Sequence, residues 1–529
     1  MDIQSNVLVV LIVAAFFLFA VKIISYHPKT CHAVLPPGPP TLPIIGSMHH
    51  FLLSAKSQLP FKALYEFSQK YGQLMHLKLC EIHMVVVSSP DCAKEIMRIH
   101  DVRFANRYTT IGFDILSYNR NDIVVAPHGD RWRQLRKICV TKLLNTSRVH
   151  SFWKIREQEV AHFIKLIGTS SSIGGERAIN LSMMIFELSS NIIMKEAFGY
   201  SCGYSDLEGY LVQLDKAIRL TTDLTFADLF PSSRLMKWVG TNEKKIKECH
   251  VRIHKLVEKI IKDRRERMDI FSGKTENKDD CDDFLSVLLM LEKEGECSVP
   301  LTTETISAVI FDIFAAGSET SSTTLVWAMS ELVRHPKIML DAQTEVRHHL
   351  KGKATVTDKD IEDLVCVKHI IKETLRLHPP LPLLLPRLCQ EPYGIMGYQV
   401  PKGAAVVINA WAIGRDPNYW RNPEQFQPAR FAKSDVEFKG NNFEFIPFGS
   451  GRRMCPAITL ASSNMEIILA SLLLYFEWKI PHGLDVSKMD MSEASGITAR
   501  KKVPLELLAI PITQAQDVSS ATQSTLVGL

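Results

Sequence analysis

One short stretch near the C-terminus constrains this chain of 529 residues more than any other. This cysteine loop runs from Phe445 to Pro456, with the sequence Phe-Ile-Pro-Phe-Gly-Ser-Gly-Arg-Arg-Met-Cys-Pro. Its two glycines let the backbone fold tightly and approach a flat group closely. An arginine two residues before Cys455 offers a planar fork for an anion. The apolar run from Ile458 to Phe476 predicts a helix, and a thiolate just ahead of a helix N-terminus is favoured by the helix dipole.

Cys455 is the candidate metal ligand of the cysteine loop. It has no Cys-x-x-Cys companion, whereas zinc sites and iron–sulfur clusters need several thiolates. A single thiolate does suit the axial ligand of a haem iron. The alternative is a buried cysteine in a glycine-rich turn, which is the common role of a cysteine taken alone. Four spaced positions resemble the cysteine-ligand loop of the cytochrome P450 haem-thiolate monooxygenases, namely Phe448, Gly451, Arg453 and Cys455.

Composition and periodicity predict a mainly α fold with small β-sheets. The chain is 46% hydrophobic and 22% charged, so a large packed core is expected, and a net charge of +5 is too small and dispersed to indicate nucleic acid binding. The eleven cysteines are scattered and odd in number, which indicates reduced thiols in a cytosol-facing protein. Long helical patterns alternate with short strand-like ones without a βαβ order. The stretch from Arg103 to Asn121 has neither period and predicts an irregular loop.

The N-terminal residues carry a membrane signal. Val7 to Ala20 is unbroken apolar sequence and continues past Lys22, and about 18 such residues are just enough to cross a bilayer. The alternative is a cleaved secretory signal. However, Asp2 precedes the run while Lys22 and Lys29 follow it, which is opposite to the charge order of a signal peptide. By the positive-inside rule, the body of the protein then stays in the cytosol.

We predict four segments along the chain. Residues 1–26 form a membrane anchor, 27–46 a proline-rich hinge, 47–512 one cytochrome P450 catalytic domain, and 513–529 a disordered C-terminal tail. The hinge contains five prolines between Leu35 and Pro43, which make a stiff, extended spacer. A haem sensor would carry an output domain, and nothing after residue 512 is large enough to be one.

Thr302 to Arg334 predicts one long helix with Ala-Ala-Gly-Ser-Glu-Thr in its middle. Small and polar residues there lower helix stability, by about 1 kcal/mol for the glycine. A flexible kink in a core helix is one explanation. The order Ala-Gly-x-Glu-Thr also resembles the oxygen-activation motif of cytochromes P450. That resemblance implies that Ala316 and Gly317 leave room for a diatomic ligand. It also implies that Glu319 and Thr320 pass protons to bound dioxygen.

Glu373 and Arg376 form a Glu-x-x-Arg pair, whose side chains share one helix face. Taken alone, the pair is a common surface ion pair. In cytochromes P450 it is buried and joins an arginine of a later Pro-x-Arg-Phe loop, here Arg430. Ala429 stands where most members have glutamate, but the arginine is retained. The resemblance therefore implies a structural network of Glu373, Arg376 and Arg430.

The two carboxylates of a haem need several cationic or N–H donors at one edge of its site. By resemblance, four residues supply them: Trp132, Arg136, Arg387 and Arg453. The first two share a helix face at i, i+4 spacing, and for the third a solvated surface arginine is the alternative. Phe448 and Gly451 complete the implied haem b site, with Cys455 as the axial iron ligand. Ala457 departs from the family, which usually has glycine two residues after the cysteine to allow close approach to the haem.

The substrate pocket has no motif of its own. The segments that form its walls in the family offer an apolar lining here, which suits a hydrophobic substrate. An apolar residue in such a segment is also an ordinary core residue. The lining expected from the resemblance is Phe113, Ile115, Phe226, Phe311, Ala315, Leu384 and Ile497.

The resemblance implies a monooxygenase that inserts one atom of O2 into a hydrophobic small molecule, by hydroxylation or epoxidation. Electrons would come from NADPH through a separate NADPH–cytochrome P450 reductase, because the chain has no dinucleotide fingerprint or flavin motif. Cytochrome b5 is a further expected partner. The implied location is the endoplasmic reticulum membrane, with a single pass, lipid contacts and the catalytic domain facing the cytosol.

The hinge, the long-helix motif and the cysteine loop resemble those of the plant microsomal branch, most nearly the terpenoid oxidases of grasses. A terpenoid is therefore the expected substrate. One alternative is the same chemistry on a phenylpropanoid, flavonoid or other aromatic substrate. A second is a haem-thiolate isomerase or dehydratase that needs no O2, although such an enzyme would not require the Glu319–Thr320 pair.

Overall fold

The computed structural model describes residues 34–54, 59–171, 177–199, 204–222, 224–239, 242–271, 283–295, 297–353, 356–481 and 485–512. The predicted anchor (1–26), the first part of the hinge and the predicted tail (513–529) lie outside these residues. The described part is mainly helical with three small sheets, so the predicted fold class is confirmed.

The helices of the described residues follow in chain order. They are α1 (Met48–Ser54), α2 (Pro60–Tyr71), α3 (Pro90–Lys94), α4 (Ile111–Leu116), α5 (Asp130–Ile138), α6 (Thr146–Ser151), α7 (Trp153–Ser171), α8 (Leu181–Phe198), α9 (Tyr204–Thr222), α10 (Phe226–Leu229), α11 (Arg234–Val239), α12 (Glu243–Phe271), α13 (Phe284–Glu294), α14 (Thr303–Arg334), α15 (Pro336–His349), α16 (Asp358–Ile361), α17 (Val365–Leu377), α18 (Ala410–Ile413) and α19 (Ile458–Tyr475).

The strands form sheets that join distant parts of the chain. They are β1 (Leu74–Leu79), β2 (Ile82–Val87), β3 (Asn106–Arg107), β4 (Ile179–Asn180), β5 (Arg387–Leu388), β6 (Tyr393–Ile395), β7 (Tyr398–Val400), β8 (Ala405–Ile408), β9 (Phe476–Lys479) and β10 (Glu506–Pro511). The largest sheet has the order β1-β2-β8-β5-β3, and in it β2 and β8 are parallel, with Val85 opposite Val406. The others have the orders β4-β10-β9 and β6-β7.

Helix α14 runs through the centre of the fold. The Thr302 hydroxyl caps its N-terminus by accepting a hydrogen bond from the Thr305 N–H at 3.2 Å. Its two halves belong to the two largest apolar clusters, one shared with α12 and α13 and the other with α17 and α19. A Cβ on Gly317 would lie 3.1 Å from a side-chain carbon of Ile193 on α8, so glycine permits close packing of α14 against α8. The predicted single long helix is confirmed.

Helix α19 is the one helix in the described ranges that is long and apolar enough to span a membrane. Just over half of it, 56%, is buried inside the protein, and it packs in the same cluster as the C-terminal half of α14. Burial in the core accounts for its apolar sequence.

The stretch predicted as irregular, Arg103 to Asn121, contains β3 and the short helix α4, so that prediction was wrong. Six residues are too few to show a helical period. A Cβ on Gly112 would lie 2.7 Å from the Thr221 side chain, which shows how tightly α4 packs on α9. The three residues from Tyr118 to Arg120 have φ values of 52°, 57° and 64°, which turn the chain sharply towards residues 122–126.

Candidate functional site

A cavity lies between α14 and the cysteine loop. Most of its lining is apolar, and Leu384, Ile313 and Phe448 contribute to it. The polar side chains that line it are Arg107, Arg136, Asp312, Thr320, Arg387, Arg453 and Cys455. Residues that the sequence analysis placed in three separate motifs therefore meet around one space.

The cysteine loop is shaped by its two glycines. Gly449 and Gly451 have φ values of 72° and 71°, in the left-handed region that favours glycine. A Cβ on Gly451 would lie 2.0 Å from the Met97 carbonyl oxygen, so no other residue fits there without a shift of the backbone. The Cys455 N–H donates to the Phe448 carbonyl at 3.0 Å, which closes the loop and presents Cys455 and Phe448 to the cavity.

Burial raises the pKa of the Cys455 thiol, while the Ala457 N–H and the charge of Arg136 act in the opposite direction. Ala457 occupies the N-cap position of α19 with φ −102° and ψ 26°, a backbone conformation open to alanine. Its methyl group belongs to the cavity wall. The backbone at this position therefore accepts alanine in place of glycine.

Four arginines converge on one side of the cavity, and we name them the arginine cluster: Arg107, Arg136, Arg387 and Arg453. Each is fixed by backbone carbonyls. Arg453 Nε donates to Ala105 O at 2.7 Å, Arg387 Nη2 to Ser450 O at 2.8 Å, and Arg107 Nη1 to Leu385 O at 2.6 Å. Arg136 donates to the Met454 carbonyl.

The arginine cluster holds an excess of positive charge. Burial and the charges of Arg387, Arg453 and Arg136 hold the pKa of Arg107 well below its usual value. Burial and Arg387 likewise lower the pKa of Arg453 to about 10. Asp101 offsets part of this charge, since its carboxylate lies 2.6 Å from Arg387 and accepts from the Arg452 N–H at 2.8 Å.

These features fit the haem that the sequence resemblance implies. The surplus of buried positive charge suits the two carboxylates of haem, which would relieve the mutual repulsion of the guanidinium groups. The apolar lining suits a flat macrocycle, and a single cysteine at the wall suits an axial iron ligand. No group of three or more His, Cys, Asp or Glu side chains that could hold a metal ion is found in the described ranges.

Arg107 was missed by sequence reasoning. It lies in β3, directly opposite Arg387 in β5, and this pairing joins positions that are far apart in the chain. No spacing or motif indicates it.

Trp132 does not line the cavity. Its ring N–H donates to the Ile123 carbonyl at 3.0 Å, and the Arg453 guanidinium carbon lies 4.2 Å from its ring centroid. In this structure the tryptophan therefore supports Arg453 from behind.

Ala316, Gly317 and Thr320 line the cavity from α14. The Thr320 hydroxyl donates to the Ala316 carbonyl at 2.6 Å, which leaves its oxygen able to accept a hydrogen bond from the cavity side. Glu319 does not line the cavity. Its carboxylate accepts from the Thr498 hydroxyl and, at 3.2 Å, lies beside Arg500 Nε.

The structure brings Glu373, Arg376 and Arg430 together in what we name the Glu373 network. The Glu373 carboxylate accepts two hydrogen bonds from Arg376 at 2.8 Å and one from Arg430 at 2.9 Å. Glu373 and Arg376 are fully buried. The network lies next to the start of the cysteine loop, since the rings of Phe431 and Phe445 are 5.4 Å apart.

Of the apolar residues expected in the pocket, Leu384 lines the cavity. The rest do not, and two examples show why. Phe311 is a buried core residue on another face of α14, and Phe226 is 61% exposed at the start of α10. Ile123 and Val124 line the cavity from the segment Arg103–Val125, which the family resemblance places in the pocket wall. Sequence reasoning missed Leu381 and Ile408. The expected residues outside the lining are Phe113, Ile115, Phe226, Phe311, Ala315 and Ile497.

Comparisons with known proteins identify the family of this chain. Residues 36–507 match the family described as Cytochrome P450. The chain is 42% identical over 523 residues to the ent-cassadiene hydroxylase of rice, an alignment that covers 98% of this chain and 100% of the relative. It is 45% identical over 475 residues to the zealexin A1 synthase of maize, covering 89% and 92%.

A solved structure of a zebrafish cytochrome P450 with abiraterone has the same fold. The TM-score is 0.71 at 23% identity, over 86% of this chain and 100% of that one. Together with a cavity that fits haem and presents one cysteine to it, these relationships show that the chain belongs to the cytochrome P450 family and is a haem-thiolate monooxygenase.

Proposed function

We propose that this monooxygenase oxidises a terpenoid by hydroxylation or epoxidation. The observation that supports the substrate class is the mostly apolar lining of the cavity, in which the arginine cluster gathers the positive charge at one side. The relatives in rice and maize include an ent-cassadiene hydroxylase and a dolabradiene monooxygenase. Their names support a terpenoid, and the apolar cavity wall supports a substrate with few charged groups.

We assign roles to the residues around the cavity. Haem bound to Cys455 supplies the activation of O2. Arg107, Arg136, Arg387 and Arg453 hold its carboxylates, and Phe448 and Gly451 shape the loop beneath it, with Trp132 behind Arg453.

On α14, the Thr320 hydroxyl holds a proton at the cavity wall. Space is left beside this hydroxyl because Gly317 has no side chain and Ala316 has a small one. Glu319, for which the family resemblance implies proton transfer, lies behind this wall and is bound to Thr498 and Arg500. Glu373, Arg376 and Arg430 keep the chain folded around the cysteine loop.

The thiolate assignment is tested by the absorption spectrum of the reduced protein with carbon monoxide. We expect the strongly red-shifted Soret band of thiolate ligation, and its loss in Cys455→His. Cys366→Ser is the matched control, because Cys366 is a free cysteine that does not line the cavity. An imidazole-type band in the intact native protein contradicts the role of Cys455.

The role of Thr320 is tested by Thr320→Ala with Thr320→Ser as the control. The alanine variant should consume NADPH with less product and more peroxide, because the hydroxyl that holds the proton is gone. The serine variant keeps a hydroxyl and should remain coupled. Unchanged coupling in Thr320→Ala contradicts the proposed proton delivery.

We further propose that a separate NADPH–cytochrome P450 reductase docks on the side of the cysteine ligand, with cytochrome b5 as an alternative partner there. Lys137, Lys142 and Arg452 are exposed on that side, near Arg136 and the cysteine loop. Their positive charge suits an acidic partner surface. Charge reversal at Lys137 should slow electron transfer from the reductase, whereas reversal at the exposed Lys255 on α12 should not.

The proposed location is the endoplasmic reticulum membrane, with residues 1–26 as anchor, 27–46 as hinge, 47–512 as a cytosolic catalytic domain and 513–529 as a tail.

Several exposed apolar side chains lie around the β1–β2 turn. The Cys80 N–H donates to Ile45 O at 3.3 Å and the Glu81 N–H to Leu229 O at 3.2 Å, so the hinge and the α10 region both adjoin the β1–β2 turn. The exposed apolar residues near them are Leu42, Ile44, Phe226, Leu235 and Trp238.

This surface is proposed to touch lipid beside the anchor. Deletion of residues 1–24 should weaken membrane association and leave a remainder, and Trp238→Asp in the shortened protein should remove that remainder. Flotation with lipid vesicles measures both. The exposed Trp153 lies on α7, and its change to Asp is the control that should have no effect.

The substrate class is tested with microsomes that contain the protein and a reductase. A panel of terpenoids and phenolic compounds is supplied with NADPH under oxygen, and products are identified by mass. We expect terpenoids with one added oxygen atom. Conversion of phenolic compounds alone contradicts the substrate class, and rearranged products formed without oxygen indicate an isomerase or dehydratase.

A further inference from the structure

Two buried carboxyl groups face each other beside the cavity. Asp122 is 2% exposed in the loop segment 122–126, and Asp312 is 8% exposed on α14, where it lines the cavity. The two carboxyl groups lie side by side, because Asp312 accepts a hydrogen bond from the N–H of Ile123, the residue that follows Asp122. Two neighbouring carboxyl groups can share one proton. Burial raises the pKa of both groups, and the charge of Asp122 raises the pKa of Asp312 further.

The pair binds the N–H groups of the loop segment 122–126. Asp312 accepts hydrogen bonds from the N–H groups of Ile123 at 2.8 Å and Val124 at 3.2 Å. Asp122 accepts from Val125 at 3.1 Å and Ala126 at 2.8 Å. Four successive backbone donors are therefore held by two acids, one of which belongs to α14.

The carbonyl groups of the same segment bind the arginine cluster. Arg453 donates to Ile123 O at 3.2 Å and also to the Ala126 carbonyl. Arg107 Nε donates to Val124 O at 3.2 Å. The segment thus lies between the acid pair and two guanidinium groups, and its position decides where those groups point.

Other ionisable groups also face the acid pair. Three arginines face Asp122, and their positive charges favour its ionised form. Asp312 faces a buried thiol, which adds no positive charge. Burial outweighs these positive charges, because the pKa of Asp122 is raised to about 6 despite them. The groups that face Asp122 are Arg107, Arg120 and Arg453, and the group that faces Asp312 is Cys139.

We propose that Asp312 and Asp122 are positioning residues that share one proton and, through the segment 122–126, hold Arg107 and Arg453 in place for the haem carboxylates. The inference rests on the anion-binding role proposed above for the arginine cluster. When the shared proton leaves, two negative charges lie side by side in a buried site, and the segment loosens. The cofactor is then held less firmly.

The direction of the pH effect follows from the raised pKa. The shared proton is fully present below the usual pKa of an aspartic acid. Its contribution is lost as the pH rises through the raised pKa of the folded pair. Haem release should therefore become faster with rising pH.

The test compares haem release from the full-length holoprotein and from Asp312→Asn between about pH 5.5 and about pH 9. Transfer of haem to an excess of a haem-scavenging globin gives the rate. Asparagine keeps an oxygen for the Ile123 and Val124 N–H groups, and its NH2 replaces the shared proton. We expect release from the native protein to speed up about tenfold over this range, since one charge-assisted contact is lost, and release from Asp312→Asn to be nearly constant.

Asp312→Ala removes the acceptor itself and should release haem about tenfold faster at every pH. Asp283→Asn is the matched control, since Asp283 is a buried acid that caps α13 without lining the cavity, and its pH profile should follow the native protein. A native-like pH profile in Asp312→Asn overturns the proposal, and so does native release from Asp312→Ala. Thermal unfolding shows which variants are folded. If Asp312→Ala does not fold, the pH profile of Asp312→Asn alone tests the proposal.

The haem-release assay also separates this inference from the function on which it rests. If Arg107→Gln releases haem as slowly as the native protein, the anion-binding role of the arginine cluster is wrong. If Arg107→Gln releases haem faster while Asp312→Asn keeps the native pH profile, only the role of the acid pair is wrong.

Discussion

The Glu373 network and the arginine cluster both bury arginines, but their charges are arranged in different ways. In the network, both oxygens of Glu373 are occupied by Arg376 and Arg430, and further guanidinium N–H groups donate to carbonyls such as Gly414 O at 2.6 Å. In the cluster, Arg107 and Arg453 lie among other cations that lower their pKa. The network is complete without a ligand, whereas the cluster carries charge that a bound anion would neutralise.

This difference in charge balance indicates that the Glu373 network stabilises the fold, whereas the arginine cluster binds the cofactor. A buried acid that holds two arginines is costly to remove, because the arginines stay behind without their partner. An arginine among other arginines repels its neighbours, so its removal relieves part of that repulsion. Variants in the two groups should therefore fail in different measurements.

The largest effect is expected for Glu373→Ala. Loss of the acid leaves Arg376 and Arg430 without their carboxylate, at a cost of about 3–5 kcal/mol in the free energy of unfolding. Denaturant unfolding of the haem-containing protein measures it. Glu391→Ala is the control, since Glu391 is 67% exposed beside the exposed Arg103 and its loss should cost at most about 1 kcal/mol. Equal stability of the two variants would show that the Glu373 network does not hold the fold.

An intermediate effect is expected for Arg107→Gln. Haem release should speed up by about tenfold, because one charge-assisted contact to the cofactor is lost. The haem-free protein should lose much less stability than Glu373→Ala does, because the repulsion within the arginine cluster falls. Arg103→Gln, which changes an exposed arginine four positions away, should leave both values unchanged. If Arg107→Gln lowers the free energy of unfolding as much as Glu373→Ala does, the arginine cluster and the Glu373 network do not differ in their roles.

The smallest effect is expected for Ala457→Gly. Haem content should not rise, because Ala457 already has a backbone conformation open to alanine and its methyl group fits the cavity wall. The free energy of unfolding should fall by about 0.4–1 kcal/mol, because glycine is freer in the unfolded chain. Haem content per protein and denaturant unfolding measure the two quantities. A clear gain in haem content would mean that the methyl group obstructs the cofactor.

Much of this fold was predictable because its helices are long and contain no internal proline, as α14 and α19 show. The cysteine loop was predictable because glycine, arginine and cysteine at fixed spacing serve one local geometry. Helix geometry also explains why two neighbouring residues of the Ala-Gly-x-Glu-Thr motif point in different directions. Asp312, Ala316 and Thr320 repeat every four residues and share the cavity face, whereas Glu319 lies about 100° away and points elsewhere.

Arg107 and Asp122 were not predictable in the same way. Arg107 reaches the cavity because β3 pairs with β5, which lies far away in the chain. Asp122 meets Asp312 because a loop folds back onto α14. Neither contact produces a recognisable period or motif in the sequence, because each one joins segments that are far apart in the chain.

The parallel pairing of β2 with β8 has a consequence for the order in which the protein is made. Residues 84–87 pair with residues 405–408, so one edge of β2 has no neighbour while about 300 further residues are added, which takes roughly 15–60 s at common rates of synthesis. The cysteine loop leaves the ribosome later still. On the growing chain, β2 is thus an open strand edge that other chains can pair with, and the haem site cannot be completed until the chain is nearly finished.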